Sequence, residues 1–323
     1  MRRWRGLDHL PGSWGRCVVT IGVFDGVHRG HQALIGRAVE LAKQRGLPSV
    51  VLTFDPHPAE VVRPGSHPAQ LTSLSRKAEL VEELGVDVFC VLPFTLELSR
   101  LPADEFVHEL LVERLHVAAV VVGANFTFGY HATGDIDLLR TLGNRFGFVA
   151  EGASMVRVPR NGSAADEMVF SSTYTRSCID AGDVQAAAAA LGRPHRLEGI
   201  VVRGDGRGRE LGYPTANLST ARHAAVPADG VYACWFVHRG PHTHEERRLA
   251  AAVSVGTNPT FSGRERRVEA FVLDLDEDLY GQRVALDFVA RLRDQERYDT
   301  VEALVEQVAL DVRHTRDLLA VAD

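Results

Sequence analysis

Residues 21–32 decide the fold: they read Ile-Gly-Val-Phe-Asp-Gly-Val-His-Arg-Gly-His-Gln and directly follow the apolar run Cys17–Ile21. This pattern predicts a strand, a glycine-containing turn and a helix that begins near His28 and His31. The amides and partial positive charge at a helix N-terminus favour phosphate. The apolar residues that define the helix are Ala33, Leu34, Ile35, Ala38 and Leu41.

The turn contains the residue types that a phosphate site needs. Small residues let a phosphate approach the backbone, and imidazoles add donors that follow charge developing on phosphorus. Histidines near a helix start can also simply cap the helix. The Gly-x-Phe-Asp-Gly that precedes His28 and His31 favours nucleotide binding instead. The further predicted nucleotide contacts are Gly22, Phe24, Asp25 and Gly30.

This stretch resembles the His-x-Gly-His nucleotidylyltransferase superfamily. Its longer form, Gly-Val-Phe-Asp-Gly-Val-His-Arg-Gly-His at residues 22–31, is similar to the adenylyltransferase half of the bacterial bifunctional riboflavin kinase/FAD synthetases. The resemblance implies that a phosphate oxygen of FMN attacks the α-phosphorus of ATP. It also implies that His28 and His31 contact the α-phosphate in the transition state.

Length and composition set limits on the protein class. A chain of 323 residues predicts two domains, and its net charge of −6, spread evenly, does not favour nucleic-acid binding. No signal core or membrane-spanning run is present in the sequence. The four cysteines lie far apart, which predicts buried free thiols. We expect a cytoplasmic protein without nucleic-acid or membrane partners, and the oligomeric state stays open.

The first half of the chain alternates strand-like and helix-like runs. Its strand candidates are 17–23, 49–54, 86–92, 117–123 and 148–158, and its helix candidates are 32–45, 74–84, 103–115 and 135–146. Gly46, Gly85 and Gly147 follow three of these helices, as helix ends prefer. Because the strands are almost continuously apolar, they favour a parallel sheet covered on both faces. The order predicts a doubly wound α/β domain.

The second half has a different pattern. Two short helices at 173–180 and 184–191 are followed by Gly192-Arg193-Pro194, which breaks the helical pattern. Strand candidates separated by turns predict a small antiparallel β-barrel, closed by a helix over 300–320. We therefore expect an α/β domain at 1–190 and a barrel domain at 191–323. The barrel strand candidates are 197–202, 231–237, 250–255, 268–275 and 284–292.

A glycine-flanked loop at 122–129 follows the fourth strand candidate and reads Val-Gly-Ala-Asn-Phe-Thr-Phe-Gly. Its phenylalanines could stack on a planar ring, or they could plug the sheet, and the residues alone favour the second interpretation. The loop is similar to the family's Gly-x-Asn-Phe-x-Phe-Gly segment. This resemblance implies flavin binding by Asn125, Phe126 and Phe128.

Residues 170–176, Phe-Ser-Ser-Thr-Tyr-Thr-Arg, begin a helix. Serine or threonine there is typical of an N-cap. The segment also resembles the superfamily's Ser-Ser-Thr-x-Ile-Arg phosphate-binding segment, which implies that Ser172, Thr173 and Arg176 hold the β- and γ-phosphates and then the pyrophosphate. Thr175 departs from this pattern, in which an aliphatic residue is usual. Ala124 is a second departure, and both lie near the predicted sites of the adenylyltransferase half.

Residues 199–218 read Gly-Ile-Val-Val-Arg-Gly-Asp-Gly-Arg-Gly-Arg-Glu-Leu-Gly-Tyr-Pro-Thr-Ala-Asn-Leu. The glycine-rich run at 204–208 suits a backbone cradle for phosphates, or a plain flexible loop. Thr215 and Asn217 lie two apart in an extended segment, so both oxygens face one side. They suit a Mg²⁺ ion that also contacts ATP phosphates, or an Asx or ST turn.

This stretch resembles the riboflavin kinase signature, with Tyr213 in a phenylalanine position. The resemblance implies that Thr215 and Asn217 hold Mg²⁺ with ATP. The implied phosphate contacts are Gly204, Gly206, Arg207 and Gly208.

Glu269 is the one carboxylate on an otherwise apolar strand face that also carries Phe271, Leu273 and Leu275. Burial would raise its pKa and suit a general base, although a solvated strand end is an equal alternative from the pattern alone. The Val-Glu-Ala-Phe around Glu269 matches the riboflavin kinases. This match implies that Glu269 activates the ribityl 5′-hydroxyl.

Together these motifs predict a bifunctional enzyme with riboflavin, FMN and ATP as its small-molecule substrates. The barrel domain would phosphorylate riboflavin to FMN, and the α/β domain would adenylylate FMN to FAD and release pyrophosphate. A paralogue with one activity or a flavin-analogue substrate is an alternative. A non-catalytic flavin-binding protein is another, but such a protein would have lost His28, His31, Arg176 or Glu269, and all four are present.

Overall fold

The computed structural model describes residues 1–8, 14–153, 157–160, 163–204, 208, 211–239, 246–260 and 263–320. The chain divides into two compact units. The first comprises Met1–Pro68 and Leu74–Ser171, and the second comprises Ala69–Ser73 and Ser172–Asp323.

The first unit is built on a six-stranded parallel sheet in the order β1-β4-β3-β2-β5-β6. The chain runs from β2 through β3 to β4 on one side and then crosses to β5 on the other side of β2. This reversal places a topological switch point at the carboxyl ends of β2 and β5. The strands are β1 (Arg2–Arg5), β2 (Cys17–Ile21), β3 (Ser49–Asp55), β4 (Val88–Pro93), β5 (Val117–Gly123) and β6 (Val149–Ala153).

Helices connect these strands, and α1 packs against β2, β3 and β5. Gly46 and Gly147 end α1 and α6 in left-handed conformations, as their positions in the sequence predict. The helices of this unit are α1 (Arg29–Arg45), α2 (Pro58–Val62), α3 (Leu74–Glu83), α4 (Leu96–Ser99), α5 (Ala103–Glu105) with a following π-helix (Phe106–Arg114), a 3-10 turn (Tyr130–Ala132) and α6 (Ile136–Phe146).

The run predicted as one strand over 148–158 is two elements. β6 closes the parallel sheet, while β7 (Arg157–Arg160) pairs with β8 (Ser163–Val169) in a separate antiparallel ribbon. The prediction of one strand was wrong, because two separate strands lie close together in the sequence and periodicity does not reveal the break between them.

The second unit is a closed antiparallel barrel in the order β10-β13-β12-β11-β14-β9. Alternate residues of its strands fill the interior, among them Tyr232, Phe236, Val253 and Phe288. The strands are β9 (His195–Val202), β10 (Ala216–Thr220), β11 (Gly230–Arg239), β12 (Glu246–Thr260), β13 (Gly263–Val272) and β14 (Arg283–Arg293), and the helices are α7 (Ser172–Asp180), α8 (Val184–Leu191) and α9 (Val301–Ala320).

The predicted fold class, a doubly wound parallel sheet followed by an antiparallel barrel and a C-terminal helix, is confirmed. The predicted domain boundary between residues 190 and 191 stays a prediction, although chain packing assigns α7 and α8 to the second unit. The predicted burial of the four free cysteines is confirmed. Burial raises the pKa of both Cys17 and Cys90 to about 12.

Candidate active sites

His28 and His31 lie at the switch point of the parallel sheet, where β2 gives way to α1. His28 is the N-cap of α1, and its Nδ1 accepts a hydrogen bond from the His31 backbone N–H at 3.3 Å. When the ring is neutral, this bond leaves the proton on Nε2 as a donor. The two rings stack with centroids 3.6 Å apart. One histidine therefore caps the helix and also keeps a donor, so the two interpretations of the sequence are compatible.

The predicted contacts around the histidines are close to them. An added Cβ on Gly30 would lie 3.1 Å from the His28 ring and 3.2 Å from the Phe170 carbonyl oxygen. The Phe24 ring covers Gly22 on one side and meets His31 edge-on, with centroids 5.2 Å apart. Asp25 is almost fully buried in the same turn. The close approach explains why glycine occupies positions 22 and 30.

The turn before α1 has an unfavourable backbone. Phe24 and Val27 have φ angles of 49° and 41°, a left-handed conformation that is rare for a β-branched residue. Both side chains are buried in one apolar cluster with α3 residues. The Val27 carbonyl also accepts a hydrogen bond from Gln32 Nε2 at 2.8 Å. Such a conformation persists only where the surroundings hold it, and it occurs frequently at functional sites.

Lys77 of α3 is a buried residue of this site that the sequence analysis did not identify. Its Nζ donates to the Val23 carbonyl oxygen at 2.7 Å, and Thr53 Oγ1 donates to the same oxygen at 3.1 Å. Burial lowers the pKa of Lys77, and the negative charges of Asp25 and Asp55 oppose that effect. The available signal was its spacing, because Lys77 falls on the apolar face of α3.

The loop after β5 begins at the sheet edge where β2 also ends, since β5 and β2 are neighbours. Asn125 is exposed, and Phe126 is partly buried. Phe128 is buried in the core of the unit, and its ring packs against the Phe106 ring with centroids 5.6 Å apart. Phe126 and Phe128 lie nearly parallel, also 5.6 Å apart. Asn125 and Phe126 are therefore accessible to a ligand, whereas Phe128 is a core residue whose ring lies beside that of Phe126.

Ser172, Thr173 and Arg176 lie in the first turns of α7, in the second unit. Arg176 Nε donates to the Ala69 carbonyl oxygen at 2.6 Å. Thr175, the departure from the family pattern, is fully buried. The methyl group of a buried threonine fills space as an aliphatic side chain would. The departure at Thr175 therefore affects packing inside the unit and not the start of the helix, where phosphate is expected to bind.

The second unit brings several predicted kinase residues together at one edge of the barrel. An added Cβ on Gly204 would lie 2.6 Å from Asn217 Cγ, so the start of the glycine-rich loop runs directly over the Asn217 amide. An added Cβ on Gly208 would lie 3.5 Å from Thr215 Oγ1. Gly206 and Arg207, two further predicted phosphate contacts, lie outside the described residues.

Glu269 completes this cluster. It pairs with Asn217 across the β10–β13 ladder, and its Oε2 lies 3.5 Å from Thr215 Oγ1. Its neighbours Val268 and Ala270 face the barrel core, so Glu269 is half-buried on the outer face with Phe271. The strand ends at Val272, so the predicted face that extended to Leu275 stops at Phe271. A carboxylate next to a hydroxyl and an amide can accept a proton from a bound alcohol.

Comparisons with known families assign a class to each unit. Residues 11–164 match the family model for FAD synthetase, and residues 191–319 match the family model for riboflavin kinase. A nucleotidylyltransferase-type sheet therefore precedes a kinase-type barrel in one chain.

The chain belongs to the family of bifunctional riboflavin kinase/FMN adenylyltransferases. The relative from Pseudomonas fluorescens is 38% identical over 99% of this chain and 98% of its own length. The relative from Escherichia coli K12 is 34% identical over 98% of this chain and 97% of its own length. The relative from Listeria monocytogenes is 36% identical over 94% of this chain and 92% of its own length.

A solved structure from Streptococcus pneumoniae has the same fold over nearly the whole chain. It superposes with a TM-score of 0.85 at 30% identity and covers 98% of this chain and 99% of its own. That structure is described as a macrolide-efflux protein. In the part of this chain that the structure describes, no helix is long and apolar enough to cross a membrane.

Proposed function

We propose that the chain makes FAD from riboflavin in two steps, at two sites with separate residues. The second unit phosphorylates riboflavin to FMN with ATP, and the first unit joins FMN to the AMP part of ATP. One observation carries this assignment. The family model for FAD synthetase covers the unit with His28 and His31, while the riboflavin kinase model covers the barrel with Thr215, Asn217 and Glu269.

In the adenylyl transfer, a phosphate oxygen of FMN forms a bond to the α-phosphorus of ATP, and the bond to the leaving pyrophosphate breaks. No protein nucleophile is needed, so alignment and charge stabilisation supply the catalysis. The Nε2–H donor of His28, the ring of His31 and the positive N-terminal end of α1 stabilise charge on the α-phosphate. Ser172, Thr173 and Arg176 hold the pyrophosphate, and Asn125 with Phe126 contacts the flavin.

In the kinase step, Glu269 accepts the proton of the riboflavin 5′-hydroxyl while its oxygen bonds to the γ-phosphorus. The bond between the β- and γ-phosphates breaks, and ADP leaves. Gly204 and Gly208 keep the backbone close to the phosphates. Positioning and neutralisation of charge again dominate, as in other phosphoryl transfers.

The residues beside Glu269 fit Mg²⁺ brought in with ATP. Thr215 and Asn217 provide neutral oxygens on one side of an extended segment. Position 204 has to be glycine, because a side chain there would collide with the Asn217 amide. When bound, Mg²⁺ would neutralise negative charge on the ATP phosphates. The oxygens of Thr215 and Asn217 would hold it, and Glu269 stays available for the proton.

The even, mildly acidic charge supports small-molecule substrates rather than nucleic acid. Four buried free cysteines support a reducing compartment such as the cytoplasm.

A chromatographic time course of riboflavin with Mg–ATP tests the assignment. The unmodified protein is expected to pass through FMN to FAD. The double variant His28→Ala/His31→Ala is expected to stop at FMN, and Glu269→Gln is expected to form neither product from riboflavin but to convert added FMN to FAD. An unmodified protein that stops at FMN would contradict the assignment of the first unit.

A further inference from the structure

We propose that Lys77 is a positioning residue for adenylyl transfer. By anchoring the Val23 carbonyl, it holds His28 and His31 in place. The inference rests on the proposed function of the first unit. Lys77 touches neither histidine, so it acts through the turn that carries them.

The first step of the argument is the position of the lysine. Lys77 is 4% exposed on the inner face of α3, among Ala78, Leu80 and Val81. Burial of an ammonium group is costly unless the group is paired. An apolar residue would serve packing better, so the lysine at this position indicates a specific requirement.

The second step is the bond that the lysine makes. Its Nζ donates to Val23 O at 2.7 Å, and the buried Thr53 hydroxyl donates to the same oxygen at 3.1 Å. Two donors on one carbonyl fix the orientation of the peptide between Val23 and Phe24. A charged donor makes the stronger of such bonds.

The third step is the chain of contacts from Val23 to the histidines. Phe24 follows directly with a φ angle of 49°, and its ring meets His31 with centroids 5.2 Å apart. Val27, at a φ of 41°, donates its N–H to the Phe24 carbonyl at 3.2 Å and precedes His28. If the Val23 peptide rotates, Phe24 and Val27 can relax out of the left-handed region, and both imidazoles move with them.

Steady-state kinetics of Lys77→Met test the proposal, because methionine keeps the side-chain length and removes the charged donor. We expect kcat for FAD formation from FMN to fall about 10- to 100-fold, since small misplacement of catalytic groups costs that much. The KM values for FMN and ATP should change less than about threefold, because the lost contact acts mainly in the transition state. FMN formation from riboflavin, in the same preparation, is the internal control.

A matched variant separates positioning from stability. Leu80→Ala opens a cavity on the same helix and in the same buried cluster, but it leaves the Val23 carbonyl paired. It should lower the melting temperature and retain kcat for FAD formation well below that temperature. If Leu80→Ala and Lys77→Met lose kcat equally for equal losses in melting temperature, the lysine is merely structural and the proposal is overturned.

Ring resonances of the histidines give a readout that does not depend on activity. The NMR shifts of His28 and His31 should move in Lys77→Met, and by less in Thr53→Val, which removes the weaker donor from the same carbonyl. Unmoved resonances in Lys77→Met overturn the proposal. If Lys77→Met does not fold, unmoved resonances in Thr53→Val overturn the carbonyl anchor. An unmodified protein that makes no FAD refutes the proposed function instead, and the resonances still decide the role of Lys77.

Discussion

At the residue scale, the kinase site depends on a glycine that leaves no room for a single further carbon. In Gly204→Ala the new Cβ would lie 2.6 Å from Asn217 Cγ, far inside van der Waals contact. Because Asn217 must turn away, one of the two proposed Mg²⁺ ligands loses its position. We predict that kcat/KM for ATP in FMN formation falls at least about tenfold, equivalent to about 1.4 kcal/mol, while FAD formation from added FMN is unchanged.

Gly256→Ala is the matched control for this substitution. Gly256 lies in the same barrel, on β12, and its added Cβ would make an ordinary contact of 3.6 Å with Gln295 Nε2. FMN formation should therefore stay within about twofold of the unmodified protein, as expected for a substitution without a named destabilising mechanism. A Gly204→Ala variant as active as Gly256→Ala would show that the kinase does not need Asn217 in this place.

Motif residues could be assigned to sites from the sequence because the chemistry is tied to residue type and short spacing. His28 and His31 are three apart at a helix start, and Thr215 and Asn217 are two apart in an extended segment that ends in β10, so local geometry alone places each pair. Lys77 could not be found in this way. Its partner is the Val23 carbonyl, 54 residues earlier, and a backbone oxygen has no signature in the sequence.

At the element scale, two glycines inside helices differ in what surrounds them. Gly36 in the middle of α1 has no atom within 4 Å of an added Cβ, whereas an added Cβ on Gly143 of α6 would lie 2.6 Å from the Phe148 carbonyl oxygen. Alanine is the better helix former by about 0.5–1 kcal/mol. We predict that Gly36→Ala slows hydrogen exchange of the α1 amides and leaves FAD formation unchanged.

Gly143→Ala should have the opposite effect, because overpacking against a backbone oxygen costs about 1–3 kcal/mol. Faster exchange of the α6 amides and a lower melting temperature are the expected measurements. Equal effects of the two substitutions would mean that helix propensity alone, and not the contact with Phe148, governs these positions.

Apolar runs predicted β2, β3 and β5 almost to the residue, since a strand buried on both faces has no other pattern. β1 was missed because Arg2–Arg5 reads Arg-Arg-Trp-Arg, and only its parallel pairing with β4 at the sheet edge makes it a strand. β10 was missed as well. Its five residues fall at the end of the kinase motif, and it pairs with the preceding strand β9 on one side and with the distant strand β13 on the other.

At the scale of the whole molecule, each unit has its own apolar core. The two proposed reactions use different residues: His28, His31 and the pyrophosphate-binding residues of α7 for adenylyl transfer, and Thr215, Asn217 and Glu269 for the kinase step. The order of the two folds could be predicted because strand patterns differ between parallel and antiparallel sheets. The domain boundary near α7 and α8 stays a prediction, because a short helix such as α8, which reads Val-Gln-Ala-Ala-Ala-Ala-Ala-Leu, carries no pattern that assigns it to one neighbour. If each reaction needs only its own set of residues, a substitution should abolish one reaction and leave the other intact. FMN released to solution should then carry the product of the kinase step to the adenylyl transfer.

Mixing two inactive variants tests that separability. His28→Ala/His31→Ala retains the kinase residues, and Glu269→Gln retains the histidine turn, so neither alone should convert riboflavin to FAD. Together they should do so after a lag in which FMN accumulates in solution, measured by chromatography at fixed time intervals. Adding FMN at the start should abolish the lag. Suppose that the mixture forms FMN but never FAD, while the Glu269→Gln variant is active on high FMN concentrations and the unmodified protein forms FAD under the same conditions. The FMN released to solution would then be too dilute to serve as substrate, and the result would indicate direct transfer of FMN within one chain.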